Sequence, residues 1–198
     1  PGNKRLTLRL ADQLHQSIGA ARAWELIHEA LRHVEDRSEA YIAFQRAALK
    51  YSAQDARLEA EASALLALVR CGAAEAIEIA RLSTLLESMG RHAELAQIYD
   101  QLSQAPDATA TTRRQDRLRA AQAFRDAGEL KRAGDILLVL MDEDGEVSLE
   151  AARALAPLAA NLGESSRQER ALEYQIANEG TSGVIRCLEE LLHLHRRI

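Results

Sequence analysis

One pattern of residues is written twice between Ile79 and Met141, and it constrains the fold more than anything else in the chain. The copies read IARLSTLLESMGRHAELAQIYDQLSQAP and LRAAQAFRDAGELKRAGDILLVLMDEDG. Each has an apolar-periodic segment, a glycine (Gly90, Gly128), and a second apolar-periodic segment closed by a turn signal, Pro106 or Gly145. In the first copy Ile79, Leu82, Leu86 and Met89 stripe one helix, and Leu95, Ile98, Tyr99 and Leu102 answer from the next. In the second copy Ala120, Ala123, Phe124 and Ala127 are answered by Ala133, Ile136, Leu137, Leu140 and Met141. Two amphipathic helices joined so tightly must fold back antiparallel, because only that arrangement brings both stripes together.

The rest of the chain repeats the unit more weakly. Ala11, Leu14 and Ile18 stripe a helix over 3–18, Gly19 turns the chain, and Ala23, Ile27, Ala30, Leu31 and Val34 stripe 20–35. A capping box of Asp36 and Glu39 is expected to open a helix over 38–52 that buries some of Tyr41, Phe44, Ala48 and Tyr51. Its partner over 54–70 carries Leu58, Ala62, Leu65, Leu66 and Val69, with the turn near Ala53. Leu155, Leu158, Ala159 and Leu162 precede Gly163 and a helix over 165–179, where Ser166 and Glu169 form a second expected capping box. A last helix from Thr181 carries Val184, Cys187, Leu188, Leu191 and Leu192.

The turns fall at residues 19, 53, 90, 128 and 163, steps of 34, 37, 38 and 35. Such a period marks stacked helical hairpins, each covering apolar surface that its neighbour cannot hide alone. The expected fold is all-α, a solenoid of about five hairpins in one repeat domain over 1–198. The units are 3–35, 38–70, 74–105, 109–143 and 147–179, followed by a terminal helix over 181–198. Composition agrees: 47% of residues are hydrophobic but only 4% aromatic, and three prolines are present. Such a core is built from Ala and Leu, which favour helix.

The units resemble tetratricopeptide (TPR) repeats. Ala121, Phe124, Gly128, Ala133, Leu137 and Leu140 match that family's small, aromatic, glycine, alanine and bulky positions. Gly90, Tyr99, Leu102 and Pro106 match in part, with Leu95 where Ala is usual, and Ala23, Ile27 and Ala30 match the second-helix half. The 38–70 unit lacks the glycine, and the 147–179 unit keeps Gly163 but has Gln168 where Ala is usual and Pro157 inside its first helix. The resemblance implies a right-handed superhelix with a concave groove, lined by the first helix of each pair and holding an extended segment or helix of a partner protein. The Ala- and Arg-rich composition is also similar in style to repeat regions of long bacterial cell-envelope proteins, including those of exopolysaccharide export. The chain opens Pro1-Gly2 without Met, so it reads as a piece of a larger protein, and that resemblance in style implies a bacterial one. Neither a periplasmic nor a cytoplasmic location follows from the residues.

Opposite the apolar stripes, the first helices carry polar rows: Thr84, Glu87 and Ser88; Leu118, Gln122 and Arg125 with Asp126; and Glu150, Arg153 and Asn161. If those helices line a groove, Thr84, Glu87, Ser88, Gln122, Arg125, Asp126, Arg153 and Asn161 are the partner contacts; the plain alternative is a solvated face. A second function class is a structural spacer that self-associates through the terminal helices.

Other chemistry finds little to stand on. Net charge is −5, against nucleic acid as a partner. Arg113, Arg114, Arg117, Arg119 and Arg125 cluster, but Asp116 and Asp126 interrupt them, so a solvated helix start is expected. Asp142, Asp144 and Gly145 lack the remaining ligands of a calcium loop. The six histidines fall outside the i, i+4 spacing of a helical metal clamp, so no metal or other cofactor is expected. Cys71 and Cys187 are too far apart in sequence for a CxxC site. No apolar run is long enough to span a bilayer, so no membrane insertion is expected. With no GxSxG, P-loop, Rossmann fingerprint or HExxH, a non-enzymatic protein is expected, with a sugar-handling role disfavoured by a lone tryptophan, Trp24.

Overall fold

The computed structural model describes residues 4–54, 57–143 and 145–196. Among the described residues there are eleven α-helices and no strand, so the all-α expectation holds. The chain forms two compact units, Pro1–Gly90 and Arg91–Ile198. Each is described by itself.

The first unit runs α1 (Lys4–Ser17), α2 (Ala20–Leu31), α3 (Glu39–Gln54), α4 (Leu58–Arg70) and α5 (Ala76–Ser88). Each helix packs mainly on its neighbours in sequence, as hairpin stacking requires. Ala11, Ala23, Ile27, Phe44, Ala48, Tyr51 and Ala64 form its core between α1 and α4, with Leu14, Ala30, Leu31 and Val34 packed against them. Small residues where helices meet let their axes approach closely.

Several local expectations need correction. Ile18 lies past the end of α1 and is exposed, as is Leu58 at the start of α4. The α3 cap is Ser38, whose Oγ accepts the Tyr41 N–H at 3.1 Å; the Asp36–Glu39 box starts two residues too early. α3 continues through Ala53 to Gln54. At α5 the Glu75 N–H donates to Glu78 Oε2 at 2.7 Å, a cap that the hydrophobic pattern does not suggest.

The second unit runs α6 (His92–Ser103), α7 (Ala110–Asp126), α8 (Leu130–Asp142), α9 (Ser148–Leu162), α10 (Ser165–Asn178) and α11 (Thr181–His195). Its core joins Leu118, Ala121, Leu137, Leu140, Met141, Val147, Ala151, Leu155, Leu172 and Cys187, among others. Two turns are built alike. After α7 the Gly128 N–H donates to Arg125 O at 3.0 Å and the Glu129 N–H to Phe124 O at 2.8 Å. After α9 the Gly163 N–H reaches Ala160 O at 3.2 Å and the Glu164 N–H reaches Ala159 O at 2.9 Å. Both glycines are left-handed, with φ of 82° and 72°. This pairing satisfies the last helical carbonyls and needs a residue without Cβ strain at the turn.

α9 continues through Pro157, which is exposed. The expected Ser166–Glu169 box is absent, because α10 starts at Ser165 after Glu164. Within α11 Cys187 is buried, but Leu188 and Leu192 are exposed. Ser148 closes the turn before α9: its Oγ donates to Leu140 O at 2.8 Å and accepts the Gly145 N–H at 2.7 Å. Asp144 lies outside the described residues.

Candidate partner-binding faces

In the first unit Thr84, Glu87 and Ser88 follow one another along α5, with Thr84 and Glu87 exposed. The Thr84 hydroxyl donates to Ala80 O at 3.1 Å and the Ser88 hydroxyl to Leu85 O at 2.8 Å. Both keep lone pairs to accept from a ligand, while their protons stay on the helix.

In the second unit the expected residues divide. Leu118, placed in a polar row from the sequence, is buried in the core. One turn on, Gln122 sits at the boundary, and its Nε2 donates to Glu150 Oε1 on α9 at 3.4 Å. Glu150 precedes Arg153 by one turn, and Arg153 Nε donates to Glu179 Oε1 at 2.6 Å, just before α11. Polar side chains therefore run from α7 across α9 to the start of α11. A cleft of about 400 Å³ ends the row, lined by Arg153, Glu179, Gly180, Gly183 and Arg186. Arg125 and Asp126 lie exposed and pair with each other at 3.0 Å, and Asn161 is exposed near the end of α9. Sequence reasoning misses Glu179 and Arg186, because their approach to Arg153 crosses a helix hairpin and leaves no spacing signature.

The arginine cluster at the start of α7 is largely neutralised. Arg114 reaches Glu143 and Glu146, each at 3.4 Å, and Arg117 pairs with Glu143. Arg113 donates to the carbonyls of Ala105 and Pro106 at 3.3 Å. Asp116 is buried, and that burial raises its carboxyl above the usual range against the opposing pull of Arg119. An anion arriving here would have to displace carboxylates already in place. Asp142, from the would-be calcium loop, pairs with Arg170 at 2.8 Å.

Also in the second unit, a set of ion pairs links the second helices. Arg132 on α8 reaches Asp100 on α6 at 3.0 Å, and Arg167 on α10 reaches Asp135 on α8 at 2.8 Å. Among the described residues no group of three or more His, Cys, Asp or Glu converges on a metal-sized site, and no helix is long and apolar enough to cross a membrane.

No protein-family model and no curated protein matches the chain. Among solved structures it is similar to the crystal structure of a putative kinesin light chain with nearly identical TPR-like repeats from Podosopora anserina. Identity is 16%, over 87% of this chain and 93% of that one, with a TM-score of 0.45. A point variant of that protein is similar at 16% identity over 87% and 92%, with a TM-score of 0.44. The chain's own helices and caps carry the fold: it is an all-α array of helical hairpins, with TPR-like spacing clearest at Phe124, Gly128, Ala133 and Leu137.

Proposed function

We propose that this chain is a non-enzymatic interaction module that presents the outward faces of its first helices to a protein partner. The observation that supports this is the polar run from Gln122 through Glu150 to Arg153 and Glu179. Its side chains are ordered by bonds between successive helices, so less rotamer freedom is lost when a partner docks. Gln122, Arg125, Asp126, Arg153 and Asn161 are the proposed contacts in the second unit, and Thr84, Glu87 and Ser88 those in the first. The test is a partner isolated from the source cell and then purified. Combined Gln122→Ala, Arg125→Ala and Asp126→Ala should weaken its binding at least tenfold, about 1.4 kcal/mol, with helicity and melting unchanged. Equal affinity of the triple variant moves the site off this face.

A second reading is a spacer that self-associates, the role suggested by the resemblance to cell-envelope proteins. It is favoured by exposed Leu6 and Leu10 on α1 and Ile185, Leu188 and Leu192 on α11. The charges suit a second copy, since Arg5 and Arg9 flank the first set and Glu189 and Glu190 the second. Sedimentation separates the readings: a concentration-independent monomer excludes self-association.

A further inference from the structure

Two helices are packed mainly from one side: α1 rests on α2, and α11 on α10. Nine large hydrophobic side chains are exposed among the described residues, and five of them lie on these two helices. They are Leu6 and Leu10 on α1, and Ile185, Leu188 and Leu192 on α11. Steps of four along α1, and of three and then four along α11, put each set on one face of its helix. Apolar stripes of this kind, rimmed by charge, mark contact surfaces.

The charges beside the stripes decide which cover suits each. On α1, Lys4 is paired with Glu39 and Asp12 with Lys50, while Arg5 and Arg9 are exposed and unpaired among the described residues. On α11, Arg186 lies 4.0 Å from Glu190, and Glu189 is exposed and unpaired among the described residues. The one unpaired arginine there, Arg196, stands past the end of the helix. Two α1 faces brought together would oppose arginine to arginine, and two α11 faces would crowd their Glu189 carboxylates. An α1 face against an α11 face instead sets unpaired arginines beside an unpaired carboxylate while covering both stripes.

We propose that α1 of one copy docks on α11 of another, a heterologous contact between two different faces. The inference rests on the self-association reading and adds which face meets which. One helix against one helix is a small contact, so association is reversible, with a Kd of roughly 10–500 µM. The weight-average mass of the parent chain in sedimentation equilibrium should therefore rise over that range. Leu6 and Leu192 are the most exposed of the five, at 61% and 59%. Leu6→Asp and Leu192→Asp should accordingly keep the parent's helicity, and each alone should stay monomeric where the parent associates. An equimolar mixture of the two should associate with the parent's Kd to within about twofold, because each chain keeps the face that the other has lost. Should either aspartate variant unfold, Arg9→Glu and Glu189→Arg take their place: each should weaken association at least threefold, and their mixture should recover it. A parent chain that is monomeric at every concentration removes the self-association reading and this inference together. A parent that associates, with one single variant behaving like it or with a mixture that stays monomeric, leaves self-association standing and overturns the α1–α11 contact.

Discussion

The Tyr51 hydroxyl donates to Asp12 Oδ1 at 2.8 Å, joining α3 to α1, and Lys50 Nζ reaches the same oxygen at 2.8 Å. Tyr51 is itself buried, so one polar atom at the end of a core side chain sets how two hairpins meet. Such contacts give the stack its register, which apolar stripes leave loosely defined.

The pair makes stability depend on pH in both directions. Asp12 is held below the usual carboxylate range, first by the Lys50 hydrogen bond and then by that of Tyr51. Its contribution is present above the unfolded carboxyl value and is lost as pH falls through the depressed one. Tyr51 is raised above the usual phenol range, by burial and then by Asp12, so its contribution is present below about pH 10 and is lost above it. Denaturation of the chain should show both losses. Tyr51→Phe should cost about 1 kcal/mol near neutrality and remove most of the alkaline loss. A variant as stable as the parent at pH 7 contradicts this.

Asp116 should act against stability at neutral pH. Burial raises its carboxyl, and Arg119 at 3.4 Å offsets the penalty only in part. The raised group favours the fold most at low pH, and that benefit is lost as pH rises through its folded value. Asp116→Asn should therefore raise the melting temperature at pH 7, with the gain shrinking toward acid pH as the parent carboxyl is protonated. A loss of stability at pH 7 counts against the argument.

The left-handed turns predict a cost that is separate from packing. A Cβ at Gly128 or Gly163 would meet nothing within 4 Å, so an alanine there strains only the backbone. Each substitution should destabilise by about 1 kcal/mol, read by urea denaturation. An unchanged midpoint shows that the turns relax to another cap.

Arg81 protects a buried carboxylate. Its Nε and one terminal nitrogen donate to Glu61 at 2.7 and 3.0 Å, and the Glu61 side chain is 5% exposed while that of Arg81 is 50% exposed. Arg81→Ala should cost about 2 kcal/mol, below the range for a fully buried pair because the arginine is half in water. Adding Glu61→Gln should restore much of the loss, since the stranded charge is then gone. Full additivity of the two changes, measured in a double-mutant cycle, rules out a coupled pair.

The period is legible in the sequence, and the edges of the helices are not. Ala23, Ile27, Leu82, Leu86, Phe124 and Leu137 are buried where spacing puts them, because 3.6-residue periodicity directly records the face a helix hides. Ile18 and Leu58 sit at helix ends, where that periodicity stops carrying information. Asp36 and Ser166 look like caps in the sequence, yet Ser38 is the residue placed to accept from Tyr41. Leu118 falls in a polar row on a single-helix wheel, but the neighbouring helices cover it.

By itself the sequence determined that the chain is helical, where its glycine-marked hairpins turn, and which stripe is hidden in helices such as α2, α5 and α8. All three are local properties, set by spacing along one helix and by residues such as Gly128 that a turn requires. Tertiary structure alone decided that Gln122 meets Glu150 and that Arg153 meets Glu179. Those placements join residues on different helices, and they depend on how closely alanine-lined surfaces approach, a distance that no one-dimensional period encodes.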